Sequence, residues 1–229
     1  MSHSLLDEVF YSQCAVCSKT IKYNDFICDE CFKAEVKFIE HVCSTCGYPL
    51  EISASFCKNC LLKRNYDRLF VACWYEKALR DAVKNIKFRF GLKEKSFIDA
   101  IVGQFIQENE LNHYDLVVPV PVSFRRRFIR FVHLSERIAK NISLFYGIKY
   151  KKILSKKRYT KFQWQYSRKE RLVNVKNSVD CNFSTLGLNI LLVDDIITTG
   201  ATVNECARAL KLKGAKRVDC FALAKGHFR

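Results

Sequence analysis

The sequence predicts an α/β fold, a mostly parallel sheet with flanking helices, preceded by a small N-terminal metal-binding module. Three observations predict it. Eight of the 12 cysteines form four C-x-x-C pairs that end at Cys60. After residue 65 short apolar runs alternate with longer amphipathic stretches, the pattern of strands joined by crossover helices. The most apolar of those runs ends in two adjacent acids and a string of small hydroxyl residues, LLVDDIITTGATV at 191–203. The expected division is 1–64 for the metal module and 65–229 for the α/β domain.

The 229 residues suit one ordinary domain with an attachment. A hydrophobic content of 49%, with only 8 Gly and 3 Pro, excludes a long disordered tract. The 39 Lys and Arg against 23 Asp and Glu give a formal charge of +16, which favours anionic partners: nucleic acid, an anionic membrane face or phosphorylated small molecules. The N-terminus MSHSLLDEVFYSQC has neither the basic start nor the apolar run of a signal peptide, and no later window is apolar enough to span a membrane. The reading is therefore cytoplasmic, with peripheral attachment at the inner face of the cytoplasmic membrane left open. In a reducing compartment the cysteines point to metal rather than to disulfides.

The pairs are Cys14/Cys17, Cys28/Cys31, Cys43/Cys46 and Cys57/Cys60. Two thiolates separated by two residues turn back onto one tetrahedral Zn²⁺, and a second such knuckle closes a Cys₄ site. CAVCSKTIKYNDFICDEC and CSTCGYPLEISASFCKNC share this layout and read as an internal duplication. The simplest arrangement places one structural zinc in each half; a crossed one, first pair with third and second with fourth, is the alternative that spacing leaves open. Two such sites would lower the formal +16 to about +12, so the basic character survives. A segment this poor in large aliphatics should depend on its metal to fold. Cys73, Cys181, Cys206 and Cys220 stand singly among apolar neighbours and read as core residues.

Downstream, RLFVACWYE reads as a strand, KALRDAVKNIKFRF and KSFIDAIVGQFIQEN as helices, and DLVVPVPVS as a buried strand stopped by two prolines. LSERIAKNISLFYG is helical, LNILLVDD is a strand, ATVNECARALKLKGA is a helix closed by Gly214, and RVDCFALAK is the last strand. Ligands of open α/β sheets sit beyond the carboxyl ends of strands, where residues 119–127 and 194–202 both fall.

Asp194 and Asp195, at the predicted strand end, are placed to stay hydrated and accept hydrogen bonds from a vicinal diol. Thr198, Thr199, Gly200, Ala201 and Thr202 then lead into a helix start, where unpaired N–H groups and the helix dipole favour a phosphate. Carboxylates for a sugar and amides for a phosphate describe a phosphorylated ribose. The plainer alternative is a capped turn, with Asp195 or Thr202 satisfying the helix N-terminus.

VDDIITTGAT resembles the phosphoribosyl pyrophosphate (PRPP) motif of type I phosphoribosyltransferases. Paired C-x-x-C ribbons, then VVPVPVSFRRRFIRF, then TKFQWQYSRKERLVN, then that motif, are similar to the ComF family of competence-associated proteins over essentially the whole length. The resemblance implies a type I phosphoribosyltransferase-like domain behind a double zinc ribbon, and cytoplasmic handling of incoming single-stranded DNA during natural transformation. It implies PRPP or a related phosphorylated ribose as ligand, with Asp194 and Asp195 on the ribose hydroxyls and Thr198 to Thr202 on the 5′-phosphate. Pro119, Val120, Pro121, Arg125, Arg126 and Arg127 would form the pyrophosphate-side loop, with Mg²⁺ bridging ligand oxygens. Other DNA-uptake or recombination proteins are the implied partners. Where family members continue with R-G-F-N-Q, this chain has Arg130, Phe131, Val132, His133 and Leu134. Phe131 would obstruct a conformation that glycine permits, which bears on pyrophosphate binding and group transfer more than on phosphate binding. The alternative function is an active Mg²⁺-dependent phosphoribosyltransferase whose acceptor the sequence does not identify.

Residues 151–176 carry ten Lys or Arg against one acid, Glu170. Phe162, Trp164 and Tyr166 alternate there among Lys157, Arg158, Lys161, Arg168, Lys169 and Arg171, a composition suited to stacking bases and tracking phosphates of single-stranded DNA. Arg125, Arg126, Arg127 and Arg130 form a second basic cluster that would extend the same track. Two other readings stay open: a hairpin whose rings pack on the domain, and a loop that closes over pyrophosphate. The ribbons read alternatively as a docking platform for a protein, since Asp29, Glu30, Glu35 and Glu40 make that half a poor DNA grip.

Overall fold

The computed structural model describes residues 11–61, 64–88, 92–122, 133–156 and 177–226. In chain order the ribbon module contributes β1 (Tyr11–Gln13), β2 (Thr20–Lys22), α1 (Asp29–Glu35) and α2 (Lys58–Leu61). The sheet domain contributes β3 (Leu69–Trp74), α3 (Lys77–Phe88), α4 (Leu92–Glu108), β4 (Leu116–Pro119), α5 (Leu134–Tyr146) and β5 (Lys149–Tyr150). It continues with β6 (Leu154–Lys156), β7 (Val179–Cys181), β8 (Asn189–Ile197), α6 (Ala201–Leu212) and β9 (Arg217–Lys225).

The central sheet has five strands in the order β3-β9-β8-β4-β5, and every pairing in it is parallel. Parallel strands are buried on both faces and need apolar residues at every position. ILLV of β8 and most of VDCFALA in β9 supply them, with the buried Asp219 as an exception, and alternation along the strand divides them between two cores. Leu191 and Val193 of β8 join Phe221 and Leu223 of β9 under α3, α4 and α5. Ile190 and Leu192 join Val218, Cys220 and Ala222 under α6. The helices match this by spacing: Val203, Cys206, Ala207 and Leu210 of α6 recur at helical intervals and are all fully buried. Each such aliphatic side chain contributes roughly 1.5–3 kcal/mol on leaving water. Cys73, Cys181, Cys206 and Cys220 are buried in these cores, as expected of isolated thiols.

The ribbon module is sewn to the exposed edge of β3. Trp74 N–H donates to Lys37 O at 2.8 Å and Ile39 N–H to Ala72 O at 3.0 Å, about an antiparallel bridge between Phe38 and Cys73. An unpaired sheet edge is thereby covered. Phe26 packs tilted and Phe32 edge-on against Phe97 of α4, at ring-centre distances of 5.3 and 5.7 Å, so the first ribbon shares the main core.

At the second ribbon Gly47 has φ +69°, and a Cβ there would stand 2.0 Å from Leu69 O. Only glycine lets this knuckle lie against β3, where Cys46 O accepts from Leu69 N–H at 2.9 Å.

Two short features escaped the periodicity reading. β5 extends the sheet by two residues, and β6 with β7 forms a separate antiparallel ladder, Leu154 opposite Cys181. Such pieces are too short to carry a period.

Candidate functional site

Strand order fixes where a ligand can sit. β4 leads through α5 outward to β5, whereas its neighbour β8 leads through α6 outward to β9. The two connections diverge, leaving a crevice beyond the carboxyl ends of β4 and β8, the usual ligand position in open α/β sheets. β4 ends its pairing at Pro119 opposite Val193, and Val120 N–H still reaches Val193 O at 2.8 Å.

Beyond Val193, β8 runs on to Ile197 with only β9 paired to it among the described residues. The paired acids therefore lie not at the end of their strand, as the sequence suggests, but where the strand loses one neighbour. Their carboxylates turn to the backbone there: Asp195 N–H donates to Asp194 Oδ1 and Ile196 N–H to Asp195 Oδ1, both at 2.8 Å. Both residues line the crevice. Asp194 is buried at 9% exposure and Asp195 is half-buried, so the expectation that both stay hydrated holds only in part. Strand pairing with β9 continues past Asp194 and encloses it.

A cavity of about 130 Å³ gathers Pro121, Ser135, Lys156, Asp194, Asp195 and Thr202. The proline loop, the acids and the first turn of α6 are thus brought together as the sequence reading requires. Val120 also lines this cavity, and Pro119 lines a neighbouring one of about 320 Å³. Thr198 and Thr199 are exposed, and Gly200 and Ala201 half-buried, in the turn ahead of α6.

Gly200 is the N-cap, at φ 76° and ψ 3°, and as a glycine brings no side-chain cap of its own. Ala201 N–H is met by Thr199 Oγ1 at 3.3 Å. The first amide of α6 is thus met by Thr199 and not by the Asp195 or Thr202 of the capped-turn alternative. A helix start opened by a left-handed glycine presents amides and a positive dipole to an anion.

Ser135 and Lys156 were missed by sequence reasoning. Ser135 belongs to the first turn of α5, where its hydroxyl donates to Val120 O at 3.3 Å; nothing local in the sequence marks it. Lys156 lies within the 151–176 basic stretch, just ahead of the residues assigned to DNA, and enters the crevice because β6 ends beside it.

Beneath the phosphate-type turn, Asn65 N–H donates to Asn204 Oδ1 at 2.7 Å, and the Tyr66 hydroxyl lies 4.0 Å from where a Gly200 Cβ would be. Burial pushes that hydroxyl up to about 12, so it stays protonated. The chain leaving the second ribbon is in this way bound to the start of α6.

The cysteines form two tetrads, Cys14, Cys17, Cys28 and Cys31, and Cys43, Cys46, Cys57 and Cys60, each with its sulfurs within 4.8 Å of one another. The crossed pairing is thereby excluded. Sulfurs at 3.5 Å (Cys43 to Cys60), 3.6 Å (Cys46 to Cys57), 3.8 Å (Cys17 to Cys28) and 3.9 Å (Cys57 to Cys60) match the edges of about 3.8 Å of a tetrahedral site with Zn–S bonds of about 2.3 Å. Backbone amides face the sulfurs, as Cys28 N–H does to Cys14 Sγ at 3.4 Å. The donor sets fit two structural zinc ions.

The basic residues Arg125, Arg126, Arg127 and Arg130, and the segment with Lys157, Arg158, Lys161, Phe162, Trp164, Tyr166, Arg168, Lys169 and Arg171, lie outside the described residues, as does Phe131. The strands that precede and follow the second of these segments, β6 and β7, are paired. Among the described residues no helix is long and apolar enough to cross a membrane.

Two families match the chain, the double zinc ribbon domain over residues 5–61 and the phosphoribosyl transferase domain over residues 131–228. The chain is 25% identical over 212 residues to Competence protein F of Haemophilus influenzae, spanning 87% of this chain and 90% of that protein. It is 28% identical over 208 residues to DNA utilization protein YhgH of Salmonella typhimurium, with the same 87% and 90% coverage. It is 26% identical over 219 residues to Competence protein ComFC of Bacillus subtilis, spanning 90% of this chain and 86% of that one.

Proposed function

We propose a function from the premise that the chain belongs to the ComF family, in which a double zinc ribbon precedes a phosphoribosyl transferase domain. The protein binds PRPP or a related phosphorylated ribose in the crevice between β4 and β8 and handles incoming single-stranded DNA during natural transformation.

The convergence of Asp194, Asp195 and the open start of α6 on one cavity carries this reading. Carboxylates accept from a vicinal diol, and the amides that follow Gly200 donate to a phosphate at a fixed distance along the chain. Mg²⁺, when bound with such a ligand, offsets the charge between its phosphates and the two acids. Lys156 supplies a cation to the same cavity. Relatives named for competence and DNA utilization support the DNA assignment, as does the excess of Lys and Arg. The two domain limits, 1–64 and 65–229, belong to the same reading.

The test is fluorescence anisotropy of a labelled single-stranded oligonucleotide at several salt concentrations, with and without Mg²⁺ and PRPP. Micromolar or tighter binding whose log K falls by about 0.7 per phosphate contact as log salt rises is the expected result. Competition by PRPP would place the DNA at the crevice. Absence of DNA binding near physiological salt, with release of pyrophosphate from PRPP on adding an acceptor, would replace this reading by the enzymatic one.

A further inference from the structure

One short stretch of chain joins the second cysteine tetrad to the start of α6. It begins at Arg64, shortly after Cys60, the last cysteine of that tetrad, and returns to the same knuckle at Leu69, whose N–H donates to Cys46 O at 2.9 Å. Both ends of this strap are held by the tetrad, and its middle grips the helix. Asn65 N–H donates to Asn204 Oδ1 at 2.7 Å and Asn65 Nδ2 to Asn204 O at 3.5 Å. Asn204 N–H in turn closes the first turn of α6 on Gly200 O at 2.9 Å.

Arg64 adds a cation to this strap. Its guanidinium carbon stands 5.7 Å over the ring of Tyr66, and the Tyr66 hydroxyl lies 4.0 Å from where a Gly200 Cβ would be. Arg64 Nη1 is buried with no hydrogen-bond partner among the described residues. A buried guanidinium N–H is costly to leave unpaired, and an oxyanion held by the amides that follow Gly200 would supply a charge-assisted acceptor. The first tetrad is placed differently. Its ribbon packs through Phe26 and Ile27 into the core under α3, α4 and α5, whereas α6 covers the opposite face of the sheet, where Tyr48 of the second ribbon joins it.

We propose that the second zinc site governs phosphate affinity in the crevice: the metal holds the strap, and the strap fixes the first turn of α6 and presents Arg64 to the phosphate. The inference rests on the proposed reading of that helix start as a phosphate site. Coupling between two sites is reciprocal, so a phosphate ligand tightens the second zinc by the factor by which that zinc tightens the ligand. The first zinc stays outside this linkage.

The full-length, zinc-loaded protein is exposed to a chelator and an alkylating agent in the presence of ribose 5-phosphate or, as the phosphate-free control, ribose. Mass spectrometry then assigns the alkylated cysteines to a tetrad. Ribose 5-phosphate should slow alkylation of Cys43, Cys46, Cys57 and Cys60 roughly tenfold, the scale of one charged hydrogen bond, and leave Cys14, Cys17, Cys28 and Cys31 as they are in ribose. Calorimetry should show roughly tenfold weaker ribose 5-phosphate binding in Arg64→Met with both zinc ions retained, and the protection of the second tetrad should shrink with it. Equal protection of both tetrads would overturn the strap as the route of coupling. Unchanged ribose 5-phosphate affinity in Arg64→Met, with neither tetrad protected, overturns the inference and leaves the crevice reading standing. Absence of ribose 5-phosphate binding to the zinc-loaded parent overturns the crevice reading and the inference together.

Discussion

Replacing Gly47 by alanine tests how the second ribbon is attached to the sheet. The new Cβ would stand 2.0 Å from Leu69 O and 3.0 Å from Leu69 C, backbone atoms that no rotamer change can move. A left-handed alanine costs about 1–2 kcal/mol on its own. Relief of the overlap requires the knuckle to retreat by more than an ångström, which breaks the bond from Leu69 N–H to Cys46 O, 2.9 Å long. Losing it adds roughly 1–3 kcal/mol for the buried groups left unpaired. The expected total is about 2–5 kcal/mol.

Gly147 supplies the control. It has φ +68° and nothing within 4 Å of its would-be Cβ, so Gly147→Ala measures the conformational cost alone. Both variants are compared in urea unfolding, with zinc release to a chromophoric chelator measured in parallel. Gly47→Ala should unfold at lower urea than Gly147→Ala and release zinc faster from the site of Cys43, Cys46, Cys57 and Cys60. Equal destabilisation of the two variants would refute the claim that close approach, rather than backbone conformation, demands glycine at 47.

The double variant Asp194→Ala with Asp195→Ala should lose at least a hundredfold in PRPP affinity by calorimetry, at about 1.5–3 kcal/mol for each charged hydrogen-bond acceptor removed, while retaining both zinc ions; undiminished affinity would remove the acids from the site. Tyr114→Phe deletes the 2.6 Å bond to Asp219 Oδ2 and leaves Arg217 Nε, at 2.8 Å, to hold a fully buried carboxylate. A loss of roughly 3 kcal/mol in urea unfolding is expected, and a loss below about 1 kcal/mol would show that Arg217 suffices alone. Burial lowers the Lys225 pKa from 10.5, so the folded chain binds fewer protons there than the unfolded chain between the lowered value and 10.5. The cost of its charge is complete below that interval and relieved as pH rises through it. The stability of Lys225→Met relative to the parent should therefore decline as pH is raised toward 10.5, and a pH-independent difference would contradict a desolvated lysine.

What was legible depended on whether a feature repeats. The strand predicted at RVDCFALAK coincides with β9, and the helix at LSERIAKNISLFYG differs from α5 only by its closing Gly147, because apolar spacing extends along their whole length. The cysteine pairs pointed to one tetrad in each half, which is the arrangement that forms, although near-equal gaps left a crossed one open until the sulfurs were placed. Asp194 and Asp195 were legible as a site, yet their burial was not, because it follows from β4 stopping at Pro119 while β9 continues. Ser135 and Lys156 had no readable signal. They reach the crevice through the geometry of α5 and β6, and a serine in a helical first turn is ordinary.

The ribbon reading of the sequence treated the metal module as an attachment whose role was either support or docking. Its contacts argue for a third relation. One stretch, residues 37–39, extends the sheet beyond β3, the first tetrad lies behind Phe26 and Phe32 on α4, and the second holds Tyr48 and Phe56 over the end of β9. Loss of the second zinc would release the ribbon wall of a cavity of about 810 Å³ that lies between Tyr48, Phe56, Trp74 and Lys225, and the chain that ties Asn65 to α6, while the acids of β8 would stay fixed by their own strand. Zinc removal should therefore loosen the ribbon wall and leave the strand that carries Asp194 in place. That distinction follows from placing one wall on a metal knuckle and the other on a sheet.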